Sequence, residues 1–437
     1  MNERVAALDA SFFTLDSDTT QQVIASYSPL DRIPDLERAR QSVLRQIEAF
    51  PKMRKRIVEH GGLRWSEDTS FDIKRHVRFE CVPLARTERD LMRRAEQIFS
   101  SHLDLEHPPW EYVVLSSREQ PEPDALVGLL FRIHHGLADG LGALEFFHRA
   151  CDLHPSGAEL EAVSARSHRH AGQTGAGPKA GKWRLRQSIA KLLTEARERV
   201  VKNPLNGENS AERRFAHIEF PLHDLKSLRR KYRTSLNDLL LALVTGAVRR
   251  YQLSVSFSPI NVKALVPFNL RPKTNLTTLG NQLTGVGVPL PAAIADPVER
   301  LKTIQTCFNR IKSDGSFGAY RIVGILNSYL PRRLQRRLSE AAARRSNFIC
   351  TNMPGPDKPL YFGGAKLLGQ YGFAALMHEQ GIAFAFMTYA GKACVSVVSD
   401  PAVVPDPWQI VSYVKEAFEE LACTDAGTPL PRAAGSA

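Results

Sequence analysis

Apolar positions along the 437-residue chain follow two periods, and the period switches from segment to segment. GLRWS, FDIKRHVRF, YVVL and the strongly apolar ALVGLLFRIHH (125–135) have the length and composition of strands. Between them, RARQSVLRQIEAF (38–50), ERDLMRRAEQIFSSHL (88–103) and GALEFFHRACDL (142–153) space apolar residues three and four apart, which predicts helices. This alternation fills residues 1–154. HPSGAELEAVSARSHRHAGQTGAGPKAGK (154–182) interrupts it: rich in Gly, Ala, Ser and His, it reads as a mobile linker or crossover. From about residue 215 the mixture resumes. RRFAHIEFPLHDLKSLRRKY predicts a strand and a helix, and SLNDLLLALVTGAVRRYQ (235–252), apolar nearly all round, a buried helix. INVKALVPFNLR and NQLTGVGVPLP read as strands, and DPVERLKTIQTCFNRIK (296–312) as a helix with Pro297 in its first turn. SNFICTNMPGP and AFAFMTYAGKACVSVVSD are strands, PWQIVSYVKEAFEELA (407–422) is the last helix, and TPLPRAAGSA is a disordered tail. The class is α/β with mixed sheets. Two halves of similar texture, 1–154 and 215–425, are joined by a linker over 155–214 and followed by a tail, 426–437.

Composition narrows the class. With 43% apolar and 24% charged residues the chain suits a soluble globular protein, and its length exceeds one ordinary core. It has no run of about 18 apolar residues, so no membrane-spanning helix is expected. The start, MNERVAALDASFF, lacks the apolar core and cleavage site of a secretory signal, which points to the cytoplasm. Cys81, Cys151, Cys307, Cys350, Cys394 and Cys423 form no CxxC pair and mostly sit in apolar runs, as small buried hydrophobes do. No metal is expected.

The net charge of +12 favours acidic partners: phosphorylated cofactors, anionic lipid or an acidic carrier protein. Two helical stretches concentrate it, WRLRQSIAKLLTEARERVVK (183–202) and LPRRLQRRLSEAAARR (330–345). Basic amphipathic helices of this kind can lie on an anionic membrane or lipid droplet. No nucleic-acid-binding motif accompanies the charge, so nucleic acid is not an expected partner.

The chemistry concentrates in HHGLADG (134–140), at the end of the apolar strand. Successive strand residues point to opposite faces, so one of His134 and His135 faces a cleft and the other faces packing. Gly136 and Gly140 allow a turn that side chains would obstruct, and the Asp139 carboxylate can brace it. A neutral imidazole, with an ordinary pKa of about 6.5, suits a general base that activates a hydroxyl, amine or thiol. The chain has no GxSxG elbow, P-loop or GxGxxG fingerprint. Base-assisted transfer without a covalent protein intermediate is the chemistry these residues support.

HHxxxDG resembles the signature of the CoA-dependent acyltransferase superfamily, which includes chloramphenicol acetyltransferase, plant alcohol acyltransferases and peptide synthetase condensation domains. LDASFFTLD (8–16), PPWEYVVL (108–115), LNDLLLALV (236–244), VPFNLRP (266–272), GNQ (280–282) and TNMPGP (351–356) follow in order, with SYL, YAGK and PDPWQIVSYV nearer the end. Over residues 5–422 this set is similar to the bacterial wax ester synthase/diacylglycerol acyltransferase family. The resemblance implies two chloramphenicol-acetyltransferase-like domains with a substrate tunnel between them. It implies transfer of a fatty acyl group from acyl-CoA, a co-substrate rather than a resident cofactor, to a long-chain alcohol or diacylglycerol. It makes His135 the general base, with His134, Asp139 and Gly140 shaping its loop. Asp139 would pair with an arginine, Arg54 first and Arg271 second. Asn237 and Asp238 match the family's Asn-Asp pair at the active centre, and Thr351 and Asn352 become candidate donors to the oxyanion. Trp110 would bind substrate.

The chain departs from the family in places. TTQQVIASYSPLD replaces a Pro-Met-His-like strand, and Pro108-Pro109-Trp110 replaces Pro-Leu-Trp. Asn-Met-Pro-Gly-Pro replaces Asn-Val-Pro-Gly-Pro. The more polar first strand keeps an alternative open: a condensation-like enzyme with an acyl-carrier-protein donor and a polar hydroxyl or amine acceptor. A non-enzymatic lipid-binding role is the third reading.

Overall fold

The computed structural model describes residues 3–156, 200–269, 280–281, 283–313 and 331–424. The N-terminal half runs β1 (Glu3–Arg4), α1 (Ala7–Leu15), β2 (Val23–Leu30), α2 (Leu36–Ala49), β3 (Lys55–Glu59), β4 (Leu63–Glu67), α3 (Ile73–His76), β5 (Val77–Cys81), α4 (Glu88–Ser100), β6 (Trp110–Ser116), β7 (Val127–His134) and α5 (Gly140–Arg149). The C-terminal half runs β8 (Arg214–Pro221), α6 (Leu222–Lys231), α7 (Leu236–Ser254), β9 (Val262–Asn269), β10 (Leu283–Leu290), α8 (Pro297–Ser313), α9 (Arg332–Ala343), β11 (Phe348–Met353), β12 (Tyr361–Phe362), β13 (Ala365–Lys366), β14 (Tyr371–Phe373), β15 (Ile382–Tyr389), β16 (Lys392–Ser399) and α10 (Pro407–Cys423).

Each half is built on a mixed sheet, ordered β14-β2-β7-β6-β5 in the first and β10-β9-β11-β15-β16-β8 in the second. β7 is buried at every position because it lies inside its sheet with both faces covered, which is why its sequence is mainly apolar rather than an alternation, with the one buried arginine, Arg132, paired to Glu111. α7 starts at a capping box between Ser235 and Asp238 and is buried along most of its length, as its all-round apolar pattern predicts.

The division into two continuous halves needs correcting. β14 belongs to the N-terminal sheet, with Tyr371 opposite Tyr27 and Phe373 opposite Ala25, and Leu360, Phe362 and Leu367 lie in the N-terminal core. The chain therefore crosses back between α9 and β15. Part of the expected linker is also structure. Leu205 is fully buried in the C-terminal core, Asn206 Nδ2 donates to the Asn347 carbonyl, and Ser210 Oγ donates to Asp400. Residues 157–199, including most of the first basic stretch, lie outside the described residues, as does the tail from 425.

FDIKRHVRF is not one strand. The Asp72 side chain accepts from the Lys74 amide and caps the single turn α3, which turns His76 in to stack on Trp110 before β5 begins. Of the cysteines, Cys151, Cys350 and Cys394 are buried and their thiols are pushed up by burial. Cys81 and Cys307 are half-buried and Cys423 is exposed, so the buried-hydrophobe reading fits three of the six. Among the described residues no helix is long and apolar enough to cross a membrane.

Candidate active site

The strand end separates the two histidines as the two-residue period requires. His134 is buried, its ring stacks on Phe13 with centroids 4.1 Å apart, and its Nδ1 accepts from the Gly136 amide at 3.0 Å. Its Nε2 then carries the proton and faces Asp16 Oδ2 at 3.5 Å. A Cβ on Gly136 would meet the Phe13 ring at 2.3 Å, so a close approach, not backbone strain, requires glycine there. His135 turns the other way, onto Phe12, with centroids 4.1 Å apart, and lines a cavity. One short helix, α1, thus backs both imidazoles with consecutive phenylalanines.

After the turn, Asp139 caps α5 by accepting from the Gly142 amide at 2.9 Å. This fixes the loop and leaves a buried carboxylate near His135. Burial pushes the His135 pKa below the ordinary imidazole value, and the Asp139 charge opposes that shift. Burial thereby favours the neutral imidazole, the form that can accept a proton.

The cavity has a volume of about 270 Å³ and lies between the two sheets. Its walls are mainly apolar, including Ile24, Phe131, Leu144, Ile349, Phe373 and Met387. His135, Asp139 and Gly140 line it from one half, Thr351 and Asn352 from the other. Such a chamber excludes water around an apolar chain and strengthens the few polar interactions inside it.

The wax ester synthase/diacylglycerol acyltransferase catalytic domain model matches residues 5–240, and the C-terminal domain model of the same family matches 279–422. The chain belongs to this family. It is an acyltransferase. A Mycobacterium tuberculosis protein bearing the provisional name diacylglycerol O-acyltransferase is 24% identical, over 97% of this chain and 91% of its own. The fold is shared with the wax ester synthase/diacylglycerol acyltransferase of Marinobacter aquaeolei VT8, with a TM-score of 0.71, 19% identity, and 98% and 100% of the two chains covered. It is also shared with the starter condensation domain of rhizomide synthetase in complex with C8-CoA and Leu-SNAC, with a TM-score of 0.63, 14% identity, and 97% and 95% covered.

In this acyltransferase several residues singled out in the sequence do other work. Trp110 does not line the cavity. It is 1% exposed, stacks on His76 with centroids 4.5 Å apart, and donates from Nε1 to the Met53 carbonyl at 2.9 Å. Arg54 does not reach Asp139, because its guanidinium lies over the Phe71 ring, 5.2 Å from the centroid. Arg271 lies outside the described residues. Asp238 closes the α7 capping box, its Oδ2 accepting from the Ser235 amide at 3.3 Å, while its Oδ1 is buried without a partner. Asn237 does come close: its Oδ1 accepts from Asn352 Nδ2 at 3.4 Å, and its own Nδ2 is buried without a partner.

The pattern reading overlooked Phe12, Phe13, Asp16, Asp9 and Asn281. The first four sit in LDASFFTLD and the last in GNQ, segments quoted as family marks without a role. The adjacent aromatics beside a His pair were the available signal for the stacking.

Proposed function

We propose that the enzyme esterifies a long-chain alcohol or diacylglycerol with the acyl group of acyl-CoA, using His135 as general base. The observation that carries this reading is His135 as the ionisable edge of an otherwise largely apolar chamber. Its Nδ1 is shut away from solvent, which leaves Nε2 to serve the cavity. Nε2 takes the hydroxyl proton while the alcohol oxygen attacks the thioester carbonyl. The tetrahedral intermediate collapses, the C–S bond breaks, and the departing thiolate takes the proton from the imidazolium. The products are the ester and free CoA. Thr351 and Asn352 line the same cavity as His135 and are the candidate donors to the oxyanion, and the neighbouring Asn237 has an amide nitrogen to spare.

The test offers purified protein a series of acyl-CoAs with hexadecanol, diolein and polar alcohols, and identifies the esters by mass spectrometry. Long-chain esters support the reading; turnover only from acyl-carrier protein transfers it to the second one. That second reading rests on Gln22 and Ser26, polar residues of the first strand region that line the cavity.

Because the base must be neutral and its pKa is depressed, kcat/KM should rise through an acid limb below about pH 6.5 and stay flat above it. Initial rates from pH 5 to 8 check this, and an acid limb above 7 contradicts it.

The second basic stretch forms α9, which packs on α1. Its Leu334 and Leu338 are 43% and 44% exposed, beside exposed Arg333, Arg336 and Arg337. This face fits an anionic lipid surface holding the acceptor, close to the helix whose Phe12 and Leu15 line the cavity. Leu334→Glu with Leu338→Glu should weaken flotation with phosphatidylserine vesicles about tenfold or more. Equal flotation of parent and variant would remove α9 from the docking surface.

A further inference from the structure

A chain of polar contacts runs from α1 to the main chain of the base, through a residue of the other half. Asn281 lies in the connection between β9 and β10. Its two amide protons go to Asp9 Oδ1 at 2.9 Å and to the His135 carbonyl at 2.7 Å. Its backbone amide also donates to Asp9 Oδ1, at 2.8 Å. Asp9 is 2% exposed, and its Oδ2 accepts from Lys52 Nζ at 3.0 Å. Gly280 has φ +121°, and a Cβ there would sit 3.3 Å from Asp9 Oδ2, so this turn accepts only glycine without displacement.

Two buried atoms beside this chain lack partners: Asn281 Oδ1 and His135 Nδ1. A buried N–H needs an acceptor, and a neutral imidazole carries its proton on one nitrogen only. The groups that can take it are the His135 carbonyl, which Asn281 holds, and the Asn281 side chain. With the proton kept on Nδ1, the Nε2 lone pair is free for the hydroxyl proton.

We propose that Asn281, anchored by Asp9 and Lys52, is a positioning residue that sets the orientation and tautomer of His135. The inference rests on the reading of His135 as the base. It ties the base to the docking of the two halves, because Asp9 and His135 belong to one and Asn281 to the other. Both atoms that favour the Nδ1 proton also raise the His135 pKa, against the larger effect of burial. The other charged or titratable groups around the ring, among the described residues, are Asp139 and His134, with Asp16 behind His134 and Asp9 and Lys52 behind Asn281.

The experiment compares the full-length parent with Asn281→Ala, Asn281→Asp, Asp9→Asn and His135→Ala, recording kcat, KM for acyl-CoA, the pH profile and the melting temperature. Loss of a partner that orients a catalytic imidazole costs roughly 10–100-fold in activity. Asn281→Ala should therefore lower kcat by about that factor with KM within about threefold. Asn281→Asp should in addition move the acid limb upward, because a carboxylate beside the ring favours the imidazolium. If Asn281→Ala fails to fold, Asp9→Asn, nearly isosteric, should still give a smaller fall in kcat at unchanged KM. Parent-like kcat and pH profiles in the folded Asn281 and Asp9 variants, with His135→Ala inactive, overturn the positioning role and leave the base intact. A fall that tracks only the folded fraction, with the acid limb unmoved, also overturns it. An active His135→Ala overturns the base, and the positioning role with it.

Discussion

His135→Ala should lower kcat by roughly 10²–10⁴-fold, the usual contribution of a positioned general base. The ring stacks on Phe12 at the edge of the cavity and its Nδ1 is enclosed, so no other described imidazole can reach the same space. His134 cannot substitute, because its Nδ1 is held by the Gly136 amide and its Nε2 faces Asp16. KM for acyl-CoA should change little, since the apolar walls that hold the acyl chain remain. The two histidines are then separable by stability. His134→Ala empties a fully buried site against Phe13, and its loss of activity should come with a lower melting temperature. His135→Ala should lose activity with much less change in melting. A variant at 135 with more than a tenth of parental kcat would place the base elsewhere.

The parts of this site legible in the sequence are those fixed by local geometry. Eight buried residues of β7 announce an interior strand, and the Gly-flanked turn after it announces a tight connection. The two-residue period alone then separates His134 from His135. What stayed hidden depends on contacts between distant segments. α1 buries Asp9 and Ser11, two polar residues, so no apolar period marks it as a helix, and Phe12 and Phe13 stand in the sequence only within a family mark. Asn281 is one amide in a loop, and only the docking of the two halves brings it to the His135 carbonyl. The crossover hid for another reason. β12, β13 and β14 have two or three residues each, too short to show any period, and their sheet partner lies in the first half of the chain. Trp110 shows the converse: a residue beside a recognisable mark need not line the cavity.

Trp110→Ala should destabilise the protein by about 3–5 kcal/mol, the range for removing a large buried aromatic. The indole fills a site bounded by His76, Tyr112 and Phe146, and its Nε1 satisfies the Met53 carbonyl. Truncation leaves both a cavity and an unpaired carbonyl. Trp110→Phe keeps an aromatic ring and removes the donor, so it should cost only about 1–2 kcal/mol. Urea unfolding midpoints measure both. Met53 lies in the turn that also carries Lys52, whose Nζ holds Asp9. Trp110 is thereby tied to that turn, and its main chain lies opposite Ile133 in β7, two residues before His135. At a temperature where the variants are folded, KM for acyl-CoA and for the alcohol should stay within about twofold of the parent. Any kcat loss in Trp110→Phe should be smaller than in Asn281→Ala. A changed alcohol preference with unaltered stability would instead make the indole part of the acceptor site. The bond from Nε1 to Met53 and the absence of Trp110 from the cavity lining argue for the first outcome.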